Sequence, residues 1–194
     1  MNESAKPSKR ELTARAIAAS AQALADNHGL DGFTMDQLAE AAGVSRRTLF
    51  NYYPSKIDAI LGTPPEHDAE LISAVLTGGP SGHLMADLKD LTLSLLSGLD
   101  LEFDHMARYR RLLRNEPRIM QAAHARFEET SEQFAALITD RSGTDANPQA
   151  ARIAVRLTIH LFDLALDAFL ENPAEATLAE QFSRTYDTVK ELLG

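Results

Sequence analysis

The side chains best suited to chemistry in this chain lie between Ser45 and Tyr52: Ser45, Arg46, Arg47, Thr48, Asn51 and Tyr52. An arginine fork matches the two acceptors on the major-groove edge of guanine, and an asparagine amide matches adenine. Threonine, tyrosine and lysine suit phosphate oxygens or base methyl groups. On one outward helix face, this set points to reading double-stranded DNA rather than to making or breaking bonds. The competing reading is an ordinary solvated helical hairpin.

Two short helices are needed to present that face. Phe33-Thr34-Met35-Asp36-Gln37-Leu38 reads as a helix start. Thr34 can cap the amide of Gln37 while Gln37 reaches back to the Thr34 amide, and Phe33 and Leu38 close over them as a staple. Gly43 stands where a left-handed residue would end the first helix. Ser45 is a fitting N-cap for the second, and Pro54 ends it. Leu38, Ala42, Val44 and Leu49 are spaced to share a small core, with Ala39 small enough for close approach. A steep crossing over a short glycine-containing turn is the helix-turn-helix arrangement.

The segment AAGVSRRTLFNYYPSK resembles the signature of the tetracycline-repressor (TetR) family of bacterial regulators, and the likeness spans roughly residues 10–60. The resemblance implies that Thr34, Arg46, Thr48, Asn51, Tyr52 and Lys56 touch DNA. Phe50 departs from the commoner tyrosine, so a phosphate bond from a hydroxyl there is missing. Arg47 stands where many members have glycine, which adds a base or a phosphate contact.

Length and composition bound the alternatives. The 194 residues fit one compact domain or a small head fused to a larger body, and 44% hydrophobic content supports a core. Cysteine is absent, which excludes disulfides, thiolate zinc sites and cysteine nucleophiles. No apolar run reaches the roughly 18 residues of a membrane span, and the N-terminus lacks a secretory signal, so a cytoplasmic location is expected. The net charge of −9 is segregated: residues 1–56 hold seven Lys/Arg against six Asp/Glu, and residues 57–194 hold twelve against twenty-two. A mildly basic head on an acidic body would turn the head toward DNA.

The expected fold is all-α: a three-helix head, residues 1–56, and an effector-binding and dimerisation bundle, residues 57–194, with eight or nine helices in all. Residues 1–8 read as loose, with Lys6, Lys9 and Arg10 available for a DNA backbone or minor-groove contact, or else as a frayed terminus with solubilising charge. A helix from Lys9 to His28 should turn Leu12, Ala16, Ile17, Ala19, Ala23 and Leu24 inward and stop at Gly29. Ser55 caps the next helix, which Gly62-Thr63-Pro64-Pro65 interrupts before helical residues 66–77. His83–Leu99, Leu101–Asn115 and Pro117–Ile138 follow. Asn147-Pro148 and Asn172-Pro173 each read as an N-cap with first-turn proline, opening helices of about 24 and 20 residues.

In the body, the helix after Pro148 is apolar nearly all round and requires cover on two sides. A symmetry mate is the natural cover, with Val155, Ile159, Phe162, Leu166, Phe169, Phe182, Tyr186 and Val189 as the interface. The competing reading is a central helix of a larger monomer. His83, Met106, Tyr109, Met120, His124, Phe127, His160 and Asp163 set polar and flexible groups among apolar ones, as an effector pocket would. The cluster Arg108, Arg110, Arg111, Arg114 and Arg118 reads as a solvated face beside a helix C-terminus, or as an anion site. RRTLFNYYPSK with RYRRLLRNEP also resembles a subgroup of the family that senses acyl-coenzyme A compounds, including mycofactocin-cluster regulators. Enzyme chemistry has no support: Glu102-x-x-His105 lacks the second copy that a di-iron bundle needs, and no nucleophile elbow, phosphate loop or zincin motif occurs. No cofactor is expected, and a histidine metal sensor is a minor alternative.

The function expected from the sequence is therefore a homodimeric, ligand-responsive transcriptional regulator, more often a repressor, on a palindromic operator. The alternative is an all-α small-molecule binding or scaffold protein without DNA function. Operator and effector are not encoded legibly.

Overall fold

The computed structural model describes residues 8–63, 73, 79, 81–97, 103–139 and 147–193. Nine α-helices and no strand occur among them. These are α1 (Lys9–His28), α2 (Met35–Ala41), α3 (Arg46–Tyr52), α4 (Lys56–Leu61), α5 (Leu84–Ser97), α6 (Phe103–Asn115), α7 (Pro117–Thr139), α8 (Pro148–Glu171) and α9 (Leu178–Leu193). The expected helix over 66–77, apart from Ser73, and the loop around Gly143 lie outside the described residues, as does Lys6.

The helices fall into two compact units. The first holds α1–α4, α6 and α7 as far as Arg126; the second holds α5, α7 from Phe127, α8 and α9. In the first unit, one core joins Ile17, Ala21 and Ala25 of α1 to Leu38, Leu49, Tyr53, Ala59 and Ile60, and continues into Leu112, Leu113 and Ile119.

The α1 boundaries match the sequence expectation, but its rotation does not. Ala14, Ile17, Ala21 and Ala25 are buried, whereas Leu12 and Ala16 are exposed. Alanine stands at positions 14, 16, 18, 19, 21, 23 and 25, all round the helix. So small a side chain serves equally well on either side, and the apolar pattern leaves the inward stripe undetermined.

In the second unit, α8 packs against α5 and α9. Leu88, Leu91, Ala135, Ile138, Ala151, Ala154 and Val155 form one cluster, and Leu161, Ala165 and Phe182 form another. Asn147 caps α8 as expected, accepting from the Gln149 amide at 2.9 Å. Asn172 does not open the last helix. It terminates α8, and α9 starts six residues later at Leu178. Thr177 accepts from the Glu180 amide at 3.2 Å, and the Glu180 carboxylate accepts from the Thr177 amide at 2.7 Å. That reciprocal pair outcompetes the Asn-Pro start because it satisfies two free donors at once.

Candidate nucleic-acid interface

The local geometry from Thr34 to Ser55 follows from its capping residues. The Thr34 hydroxyl accepts from the Gln37 amide at 3.2 Å, and the Gln37 side chain accepts from the Thr34 amide at 2.8 Å. Phe33 and Leu38 are both buried, closing the staple. Gly43 takes φ of 66°, a left-handed conformation that a side chain would strain, and so allows the sharp turn. The Ser45 hydroxyl accepts from the Thr48 amide at 3.0 Å and opens α3. Before Pro54, Tyr53 is extended at φ −140°, ψ 121°, and α3 stops.

Leu49 alone of α3 is fully buried, Tyr52 packs beside it on the same core, and the opposite side of the helix is open. Arg46, Arg47, Phe50 and Asn51 are exposed there, while Thr48 and Tyr52 are half-buried. The Arg46 guanidinium bonds Asp36 of α2 at 2.9 Å and lies 5.6 Å from the Phe50 ring centre. Ser45 and Thr48 share a hydroxyl hydrogen bond of 2.8 Å. Beside α3 runs an open groove lined by Lys9, Arg10, Thr13, Ser45, Asn51 and Tyr52, with the Arg10 guanidinium 5.9 Å from the Tyr52 ring. Two cations and several hydroxyls along a groove offer the donors that a phosphate strand requires.

Lys56 behaves differently from the other expected contacts. Its ammonium donates to the carbonyls of Leu30 at 2.6 Å and Phe33 at 2.9 Å, and sits 5.0 Å from the Phe33 ring centre. Two of its three donors therefore fasten the α1–α2 loop to α4. A phosphate contact has only the third donor to use.

The head is also tied down from behind. The Tyr53 hydroxyl meets the Ala14 carbonyl at 3.3 Å and Thr63 at 3.1 Å, and the Gln22 amide donates to the Ile60 carbonyl at 3.0 Å. Arg126 of α7 donates to the Gly62 carbonyl at 2.6 Å and to Asp58 at 3.1 Å, gripping α4 at its C-terminus.

The arginine cluster of α6 and α7 contributes more of the same. Arg111 takes Asp26 in a two-point bond of 2.9 and 2.6 Å, with Arg108 nearby at 3.9 Å. Arg118 bonds Asp31 at 3.2 and 2.8 Å and Glu116 at 3.1 Å. At Arg108, Arg111 and Arg118 the cluster is thus neither a free solvated face nor an open anion seat. Hydrogen bonding by Arg111 holds the Asp26 carboxyl below its ordinary range, and Arg118 does the same for Asp31 and Glu116. Asp26 and Asp31 lie 85 and 87 residues from their arginines in sequence, so helical spacing alone gave no sign of the pairing.

The eight expected ligand contacts are divided between the units. Met106, Tyr109, Met120 and His124 belong to the first, and His83, Phe127, His160 and Asp163 to the second. Tyr109 packs on the first core, where burial pushes its hydroxyl up, opposed by the charges of Arg126 and Arg110. His83, Met120 and His124 are exposed. Phe127 and His160 do come together, with ring centres 6.3 Å apart. Among the described residues, two buried polar atoms that the sequence did not single out, the Ser131 hydroxyl and Nε of Arg156, have no hydrogen-bond partner.

The expected dimer residues also separate by depth. Phe182 is fully enclosed, and Val155 and Leu166 are buried, so these three back the α8–α9 pair rather than face outward. Ile159, Phe162, Phe169, Tyr186 and Val189 are half-buried. The exposed apolar residues of the pair are instead Ile153, Leu164 and Leu192, 57%, 59% and 78% accessible.

A capped reading helix held across a glycine turn from a second short helix is the helix-turn-helix arrangement of a DNA-binding regulator. Residues 17–58 match the family described as bacterial regulatory proteins, tetR family, so this segment is a DNA-binding head of that type. Comparison with curated proteins gave no significant match. Among solved structures, a protein assigned to the TetR family of transcriptional regulators, from Mesorhizobium loti, is similar at 20% identity and a TM-score of 0.52. The likeness covers 96% of this chain and 98% of that one. NalD of Pseudomonas aeruginosa, the secondary repressor of the MexAB-OprM multidrug efflux pump, is similar at 19% identity and a TM-score of 0.54, over 93% and 96% of the two chains. No helix among the described residues is long and apolar enough to cross a membrane.

Proposed function

We propose that this regulator works in the cytoplasm as a homodimeric, ligand-responsive repressor whose paired α3 helices read a two-fold symmetric operator. The carrying observation is the exposed set Arg46, Arg47 and Asn51 on a helix that is capped by Ser45 and seated through Leu49. Arg46 and Arg47 supply guanidinium forks for guanine and Asn51 an amide for adenine. Thr34, Ser45, Thr48 and Tyr52, with Lys9 and Arg10, line the flanking surface that phosphates would occupy. Lys56 acts mainly by shaping the head.

Dimerisation is supported by the exposed apolar side chains Ile153 and Leu164 of α8, which stand about three helical turns apart and so share one side of the helix. Two copies joined there would present two reading heads, and major grooves on one side of a duplex recur about every 34–36 Å. A dimer bound in this way would repress by obstructing transcription. The body would be the seat of a small apolar effector, and the Ser131 hydroxyl, buried and without a hydrogen-bond partner among the described residues, is a candidate anchor. A division of labour between residues 1–56 and 57–194 is part of this reading. The regulator itself would carry no catalytic step.

The test is protection footprinting of the DNA upstream of the coding sequence, with wild type, Arg46→Ala and Asn51→Ala. Wild type should protect a symmetric site, and each variant should bind it more weakly by about 1–3 kcal/mol. Undiminished protection by both variants would show that α3 is not the reading element.

A further inference from the structure

The open face of α3 contains one residue that polar recognition chemistry does not use. Phe50 is 43% exposed, and its exposed neighbours on this seven-residue helix are Arg46, Arg47 and Asn51. The Arg46 guanidinium lies 5.6 Å from the Phe50 ring centre, and Arg46 is itself held by Asp36 of α2 at 2.9 Å. Two contacts thus link an aromatic ring on the reading face to the neighbouring helix. Water is a poor partner for that ring, and the surface around it is cationic and amide.

The major groove offers one apolar group on its base edges, the C5-methyl of thymine. We propose that Phe50 is a specificity-determining residue that packs on a thymine methyl group in each operator half-site, next to the base taken by Arg46. This assignment rests on the DNA-reading function given above. Side chains four residues apart on a helix are about 5–6 Å from one another. Successive nucleotides of a strand rise about 3.4 Å. The thymine therefore falls one or two base-pair steps from the base that Arg46 contacts. A C·G pair at that position lacks the methyl group and leaves the ring uncovered. Packing on a sugar instead would make Phe50 matter for affinity without making it sensitive to any base methyl.

The test isolates the methyl group. An operator obtained by selection is resynthesised with each thymine replaced singly by 2′-deoxyuridine, and binding by wild type and Phe50→Ala is measured by fluorescence anisotropy. Wild type should lose about fourfold at one thymine per half-site, the scale for uncovering one methyl-sized group. Phe50→Ala should be weaker on the parent operator and indifferent to deoxyuridine at that same position. The assignment is overturned if no deoxyuridine weakens wild type, or if Phe50→Ala keeps the same penalty. Either result with sequence-selective binding intact removes the role of Phe50 alone. An absence of any selective binding by wild type would remove the DNA-reading function and the methyl contact with it.

Discussion

Replacing Lys56 by methionine separates two roles that the sequence could not tell apart. Methionine keeps most of the aliphatic stem and deletes the ammonium. In the structure that ammonium makes two charge-assisted bonds, to Leu30 and Phe33, and a cation–π contact with Phe33. A hydrogen bond to a charged group nets about 1.5–3 kcal/mol, and the site is only partly buried, so water would recover some of that for the carbonyls. A total cost of about 2 kcal/mol is the reasonable scale. For a chain of this length it corresponds to a fall of about 4–8 °C in melting temperature. Thermal unfolding followed by circular dichroism measures it directly, alongside operator affinity at several salt concentrations. The architectural role predicts the lower melting temperature and an unchanged slope of log affinity against log salt. A phosphate contact predicts the reverse: an unchanged melting temperature and a slope reduced by about one. That reverse result would refute the assignment.

Three further outcomes follow from the described contacts. Asp26 has its carboxyl pulled below the ordinary range by Arg111, so the pair contributes stability above the unfolded value, near pH 3.9, and loses it as pH falls through the lower folded value. The melting difference between wild type and Asp26→Asn should thus be steady from neutral pH to about pH 5 and should shrink in more acidic buffer; a difference that grows on acidification contradicts the sign. Phe182→Ala removes a wholly enclosed ring and should cost about 3–5 kcal/mol in urea unfolding, and a loss below about 1 kcal/mol would mean that the site is far less packed than its burial implies. Ile153→Glu with Leu164→Glu should turn a dimer into a monomer by analytical ultracentrifugation and abolish tight operator binding, whereas an unaltered dimer would move the interface away from the outer stripe of α8.

How much could be read from the chain depended on whether the signal was local. Thr34 with Gln37, Gly43, Ser45 and Pro54 each act within four residues, through a cap, a left-handed turn or a ring constraint, and each appears in the structure where its type requires. The helix-turn-helix core was legible for the same reason, since Leu38, Val44 and Leu49 are large residues among small or polar ones. In α1 the contrast fails, because alanines occupy the inward and outward sides alike, and the stripe was rotated. Thr177-x-x-Glu180 was as local as Thr34-x-x-Gln37, yet Asn172-Pro173 offered a competing start just upstream. The arginine bonds to Asp26 and Asp31, and the carbonyl partners of Lys56, join segments distant in sequence and leave no periodic trace. Exposed Ile153 and Leu164 illustrate a further limit: when a helix is apolar on several sides, composition cannot say which side its own core takes.

The most direct test of the central claim is selection from random-sequence duplex DNA by the purified chain, read by sequencing after successive rounds. A reading helix built on Arg46, Arg47 and Asn51 predicts enrichment of a two-fold symmetric motif whose half-sites sit about one helical turn apart, and its loss from the pool selected by Arg46→Ala with Asn51→Ala. A pool that stays random, or the same motif emerging with that double variant, would contradict it.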